Sequence, residues 1–176
     1  MYPFLRHVKE ILTARRLPVL GLFDPHISRH ICWPWDLDPW GELNNGRTLT
    51  LYDFGRTALG LRTGLDRQLL AKGWGMAVAG STVRYRRRVT AFARLTMHSR
   101  NIGWDGRFFY TEQSMWRGED CTSHVLIRSA FTSKAGIVPP VQVIGAMGLA
   151  LESPVLPDWV QAWIKAEDLR PWPPAR

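Results

Sequence analysis

The stretch from Asn45 to Gly64 limits the fold more than any other part of the chain. Leu51, Phe54, Ala58 and Leu61 fall on one face of a helix, and Leu49 and Tyr52 add a second apolar stripe. A helix apolar over so wide an arc has to be wrapped by other structure. Gly55, in its middle, costs about 1 kcal/mol of helix propensity against alanine, and a glycine there points to close approach by a neighbouring backbone. Gly60 to Gly64 marks the exit of the helix.

Beyond this helix the period of the pattern changes to two. From Met76, the small or apolar Ala77, Ala79, Ser81, Val83 and Tyr85 alternate with Thr82, Arg84 and Arg86, and Ala91, Ala93, Leu95 and Met97 alternate with Arg94, Thr96, His98 and Arg100. Asp105-Gly106 is a hairpin signal leading into the aromatic-rich run Arg107 to Trp116. Arg117-Gly118-Glu119-Asp120 turns the chain again, and Cys121 to Phe131 gives one further long strand. A short strand from Ile27 to about Trp33 precedes the helix and stops at Pro34, which cannot donate to a ladder. Strand, long apolar helix, then four strands in a meander predict an α+β layout, with one antiparallel sheet curled around one helix.

The flanks read as helices. Phe4, Val8, Ile11 and Leu12 recur at helical spacing, which predicts an N-terminal amphipathic helix within residues 1–17, docked on the core rather than laid on a membrane. Asp158 is placed to cap a last helix over about 158–168 carrying Trp159, Val160, Trp163 and Ile164. The tail from Arg170 to Pro174 is expected to be poorly ordered. A length of 176 residues with 45% hydrophobic content supplies one substantial core rather than two. Residues 1–176 are therefore expected to form one domain, with its core at about 27–150.

Twenty-three lysines and arginines against fifteen acidic residues leave a formal charge of +8, which raises the question of an anionic partner: nucleic acid, an acidic membrane surface or a phosphorylated small molecule. Nucleic acid ranks last among the choices, because no helix-turn-helix, stacking motif or zinc finger accompanies the basic residues. Two cysteines, Cys32 and Cys121, cannot make a disulfide framework and lack the histidine pairing of a structural zinc site. No apolar run reaches transmembrane length. The expectation is a cytoplasmic protein with no metal, no cofactor, no transmembrane segment and no nucleic-acid partner.

The chemistry concentrates in one segment, Asp36-Leu37-Asp38-Pro39-Trp40-Gly41-Glu42-Leu43-Asn44-Asn45, followed by Tyr52-Asp53-Phe54-Gly55-Arg56. Its Asp, Pro and Gly content makes it a loop, and Asn44 or Asn45 can cap the helix behind it. Taken alone, such a loop is either an ordinary turn, with both aspartates bonding nearby backbone N–H groups, or a catalytic one. The run resembles the signature of the 4-hydroxybenzoyl-CoA thioesterase-like hotdog proteins, Asp-x-Asp-x-x-Gly-His-x-Asn-Asn with an acidic residue and then an arginine farther along the helix.

That resemblance implies a hotdog fold, a homo-oligomer (a dimer or a dimer of dimers), and hydrolysis of an acyl-CoA thioester to free acid and CoA. It gives Asp36 the role of general base or nucleophile. Asn44 and Asn45 shape a helix start that serves as the oxyanion hole. Glu42 stands where the pattern has histidine, and either shares the proton work with Asp36 or lies in solvent. Thr48 stands where a tyrosine is common. Trp40 and the arginines Arg84, Arg86, Arg87 and Arg88 are the candidates for holding substrate, arginine being suited to the phosphates of CoA. Strand alternation divides those arginines between two faces. Asp53 holds the acidic helix position that some hotdog enzymes use for catalysis; the favoured reading is a partner for Arg56 or a neighbouring strand. The competing reading, motivated by Glu42, is a non-catalytic acyl-CoA or lipid-binding hotdog protein.

Overall fold

The structure is a computed structural model in which residues 2–174 are described; Met1, Ala175 and Arg176 lie outside the described residues. In chain order its elements are α1 (Phe4–Arg16), β1 (His26–Ile31), a 3-10 turn (Pro34–Asp36), α2 (Asn45–Thr63), α3 (Leu65–Lys72), β2 (Gly75–Tyr85), β3 (Arg94–Trp104), β4 (Phe109–Arg117), β5 (Asp120–Ser133), β6 (Gly136–Val138), α4 (Pro140–Ala146) and α5 (Asp158–Leu169). All strands join one antiparallel sheet that curls around α2.

The apolar arc of α2 is spent on that sheet. Leu51, Tyr52 and Phe54 pack in one buried cluster with Leu95 and Met97 of β3, Met115 of β4, and Val125 and Ile127 of β5. Full burial of each such side chain contributes roughly 1.5–3 kcal/mol, so this contact surface is the main support of the fold. The helix starts at Asn44, whose side-chain oxygen accepts the Arg47 N–H at 3.1 Å, and stops at Gly64, whose φ of 75° is the left-handed stop that glycine adopts without strain. At Gly55 a Cβ would lie 2.5 Å from Met97 Sδ and 2.6 Å from Ser99 Oγ. The close approach foreseen there is made by side chains of the sheet rather than by backbone.

The sheet is not a simple meander. Its order is β1-β3-β4-β5-β2: β3, β4 and β5 are consecutive neighbours, but β2 pairs with β5 at the far edge, from Gly75 opposite Thr132 to Tyr85 opposite Ser123. The physical cause is the crossing segment after β2. Arg86 and Arg87 N–H groups donate to Thr122 O, Leu43 N–H donates to Val89 O, and Phe92 N–H donates to Cys32 O. Residues 86–93 thus run from one sheet edge to the other across the end where α2 begins, with Val89 buried beneath them.

Two helices were not foreseen. Leu65 and Leu69 of α3 meet Val143 and Ile144 of α4 around Phe131, Trp104 and Phe109, closing the end of the sheet opposite the helix start. The last helix covers part of the outer sheet face, where Val160 packs with Tyr110 and Leu126. Asp158 does not cap it: Pro157 holds the N-cap position, Asp158 is the first helical residue, and no side-chain cap bond is made. Residues 170–174 carry no helix or strand.

The N-terminal helix docks on α2 as expected, but rotated, so that of the expected apolar stripe only Ile11 is half-buried. Glu10 and Ala14 are its buried residues, while Phe4 is 69% exposed and Val8 and Leu12 are each 49% exposed. The rings of Tyr2 and His7 pack edge-on against Phe54, and Arg6 reaches past them into the acidic loop, which fixes the rotation of the helix.

Candidate functional site

The acidic loop folds back onto the start of α2 as a short ribbon. Asn44 N–H donates to Asp36 O at 2.9 Å, Leu37 bridges Leu43, and Asp38 N–H donates to Glu42 O at 2.7 Å. Gly41, with φ of 75°, turns the tip, leaving Trp40 80% exposed. The Arg47 N–H is spent on the Asn44 side chain and the Thr48 N–H on the Asn44 carbonyl. The N–H groups of Asn45 and Gly46 have no partner among the described residues, at the end where the dipole of α2 favours negative charge.

Asp36 is buried at the root of this ribbon, 1% exposed. Its Oδ2 accepts from Arg6 Nη1 at 2.6 Å and from the Trp33 N–H at 3.0 Å, and its Oδ1 lies 3.1 Å from Arg47 Nε. A buried carboxylate is expensive unless paired, and here guanidinium groups from α1 and α2 supply the pairing. Arg6 also donates to Ile31 O at 2.9 Å, so one carboxylate ties α1, β1 and α2 together. Asp38 has a different setting. It is half-buried, and its Oδ1 accepts the N–H groups of Trp40 and Glu42 at 2.9 and 3.2 Å, while its Oδ2 has no partner among the described residues.

The remaining candidates divide. Glu42 pairs with Arg88, Oε1 to Nε at 2.7 Å, so Glu42 and Asp36 have arginine partners of their own. The Asn45 carbonyl accepts the Tyr85 hydroxyl at 3.3 Å. Arg87 and Arg88 join Glu42, Asn45, Thr48 and Ser123 around a small cavity of about 60 Å³ at the helix start. Arg84 opens on the other side of the sheet with His124 and Trp159, and Arg86 is exposed with its backbone N–H on Thr122. Only part of the basic run therefore reaches the helix start. On the opposite flank a cleft of about 360 Å³ is lined by Tyr2, Trp35, Leu37, Asn44, Gly46, Arg47 and Thr50, with Asp36 in its floor. Asp53 forms a short ion pair with Arg56, as expected.

The buried histidines are structural. Burial, and then the nearby Arg6, pushes His30 down to about 3; its Nε2 bonds Ser28 Oγ at 2.8 Å. Burial and then Arg62 push His26 down to about 4. Burial first, and then Asp36, pushes the Cys32 thiol up to about 11. Cys121 bonds the Ser123 carbonyl and His124 bonds Glu112, so these two are not a thiol–imidazole pair. Among the described residues, no group of three or more His, Cys, Asp and Glu is placed to hold a metal ion, and no helix is long and apolar enough to cross a membrane.

A family model described as the thioesterase-like superfamily matches residues 32–164, a span that takes in the acidic loop, α2, β2 to β6 and much of α5. The chain belongs to that superfamily. Protein THEM6 of Xenopus laevis is 34% identical over 167 residues, covering 94% of this chain and 80% of the relative. A probable thioesterase from Bartonella henselae has a TM-score of 0.60 at 22% identity, covering 66% of this chain and 98% of its own. A 4-hydroxybenzoyl CoA thioesterase mutant complexed with 4-hydroxybenzoyl CoA has a TM-score of 0.62 at 12% identity, covering 69% and 97% respectively. The fold of this superfamily member is the hotdog fold, and those two solved chains are used almost whole while about a third of this chain lies beyond them. The helix α1, which supplies Arg6, lies outside the matched family span.

Proposed function

We propose that the chain is an acyl-CoA thioesterase that hydrolyses the thioester to free acid and CoA thiol. The observation that carries this reading is the pair of unpartnered N–H groups, Asn45 and Gly46, at the start of an enclosed helix beside a two-aspartate loop. Membership of the superfamily and the CoA thioester named for one of its solved members support the substrate class.

In this reading the carbonyl oxygen of the thioester sits at the start of α2. As water adds to the carbonyl carbon, the oxygen gains negative charge and the two N–H groups receive it. Collapse restores the carbonyl, breaks the C–S bond and expels CoA thiolate. The proton taken from water is returned to the sulfur. Asp36 is the carboxylate that the resemblance assigned to this work, yet a guanidinium lies against each of its oxygens, and protonation there costs part of that ion pairing. Asp38 is free of that cost, because Oδ1 is anchored by two backbone N–H groups while Oδ2 stands open. It lies two residues farther out on the same ribbon, whose return strand leads into Asn44 and the start of α2. We therefore assign the base to Asp38, and give Asp36 the task of holding Arg6 and Arg47 at the cleft. Arg87 and Arg88, beside Asn45, are placed for the phosphates of CoA.

Thiol release from acetyl-, palmitoyl- and benzoyl-CoA, measured on wild type, Asp38→Asn and Asp36→Asn, tests the assignment. Asp38→Asn should lower kcat by roughly 10²–10⁴-fold at nearly unchanged Tm. Asp36→Asn should unfold at distinctly lower temperature, since removing one partner of a buried ion pair costs about 3–5 kcal/mol. Loss of turnover in Asp36→Asn at unchanged Tm, with Asp38→Asn silent, would return the base to Asp36. Absence of thiol release from all three substrates would sink the hydrolytic reading.

A further inference from the structure

The cleft at the start of α2 has a neighbour along the same helix. A second cleft of about 410 Å³ opens between α1 and the body of α2, with Ile11, Leu61, Leu65, Leu69 and Met76 as its apolar lining. Tyr2 lines both clefts. The α2 residues that face them, Gly46, Arg47 and Thr50 in the first and Asp53, Arg56, Thr57, Gly60 and Leu61 in the second, recur at helical spacing (46, 50, 53, 57, 60, with 47, 56 and 61 beside them), so they form a single stripe along the helix. His7, Ile11 and Arg15 form the matching stripe on α1. The two clefts therefore lie in line and meet at Tyr2, the first polar beside the unpartnered N–H groups and the second apolar at its far end.

We propose that the two clefts form one acyl-chain trough between α1 and α2, and that it selects long-chain acyl groups. The inference rests on the thioesterase reading for the position of the carbonyl. With the carbonyl at Gly46, the stripe to Leu61 runs roughly 22 Å along the helix axis at 1.5 Å per residue, a span that a short acyl group leaves mostly empty. Glycine holds the trough open. A Cβ on Gly60 would meet no atom within 4 Å, and one on Gly46 would meet only the Asn44 side chain. The wall opposite α2 comes from α1, which lies outside the family match, while Leu65, Leu69 and Met76 of the apolar end lie inside it.

Gly60→Leu is the test, because the substitution fills the trough from a position where the native protein offers no clash and where leucine is the better helix former. Thermal unfolding should show Tm unchanged or raised. The ratio of kcat/KM for palmitoyl-CoA to that for acetyl-CoA should fall about tenfold or more, because the apolar part of the trough is then occupied. Calorimetric binding of palmitate alone, which needs no hydrolysis, should weaken in parallel. Turnover by wild type with an unchanged palmitoyl-to-acetyl ratio and unchanged palmitate binding in Gly60→Leu overturns the acyl-chain site while leaving the thioesterase reading intact. Loss of palmitate binding in Gly60→Leu, with no thiol release by wild type, supports the site and rejects the enzyme.

Discussion

Two glycines of α2 face opposite demands, and they make the residue-scale argument concrete. Gly55 meets Met97, Ser99 and Gln113 at distances a methyl group cannot occupy, and all three neighbours are buried. Gly55→Ala gains about 1 kcal/mol of helix propensity but incurs an overpacking cost of roughly 1–3 kcal/mol. The expected net is a loss of about 1 kcal/mol, read as a Tm lower by roughly 2–4 °C; a raised Tm would show that the sheet yields there. His26 and His30 set the acid limit. Both are depressed by burial, to about 4 and about 3, so below the ordinary histidine value of about 6.5 the unfolded chain takes up protons that the native chain refuses. Stability is thus complete above that value and falls as pH drops toward 4, each histidine contributing up to about 1.4 kcal/mol per pH unit. Denaturant midpoints between pH 7 and 4.5 should fall steeply for wild type and less steeply for His30→Gln. At this scale the acidic loop was legible in the sequence, because Asp, Pro and Gly fix a turn by local chemistry. Which aspartate keeps a free oxygen was not, because that depends on Arg6, thirty residues upstream.

At the scale of elements, α1 shows how a correct helix can present the unexpected face. Spacing alone placed Phe4, Val8, Ile11 and Leu12 inward, and the periodicity does describe a helix. The rotation was decided instead by a polar contact: Arg6 pairs with Asp36 and also bonds the end of β1, with Tyr2 and His7 against Phe54. Sequence carries no signal for a pairing between residues thirty apart. Arg6→Ala should therefore loosen the docking of α1 out of proportion to its size, because Asp36 would remain buried with Arg47 as its one guanidinium partner. A loss of about 3 kcal/mol is expected. Hydrogen exchange should report it as faster exchange in α1, with α2 and the sheet protected as before; uniform loss of protection would mean that α1 is not a separate unit. Helices α3 and α4 leave little trace in the sequence for a related reason, since each is under nine residues long and is stabilised by the shared cluster around Phe131 rather than by a strong pattern of its own.

For the whole molecule, the sheet order matters more than the strand count. Alternation identified β2 to β5 because each strand's period is local, whereas the jump of β2 to the far side of β5 is made by the crossing segment, whose contacts with Thr122 and Cys32 are long-range. That jump leaves β2 as a sheet edge, eleven residues long and mostly exposed, with Met76 and Val78 40% and 53% open. A long edge carries a row of backbone N–H and C=O groups free to pair, and proteins normally cover or charge such an edge. Neither device is present along its first nine residues, from Gly75 to Val83, which contain no charged residue. A second copy of the chain is the natural cover, since antiparallel pairing of β2 with its symmetry mate would continue the sheet across a two-fold axis. Sedimentation equilibrium should give twice the mass of one chain, and Met76→Lys with Val78→Lys should shift the population toward the single-chain mass while leaving the circular-dichroism spectrum unchanged. A wild-type protein sedimenting at the mass of one chain would instead leave this edge bare, and the pairing proposed for β2 would be wrong.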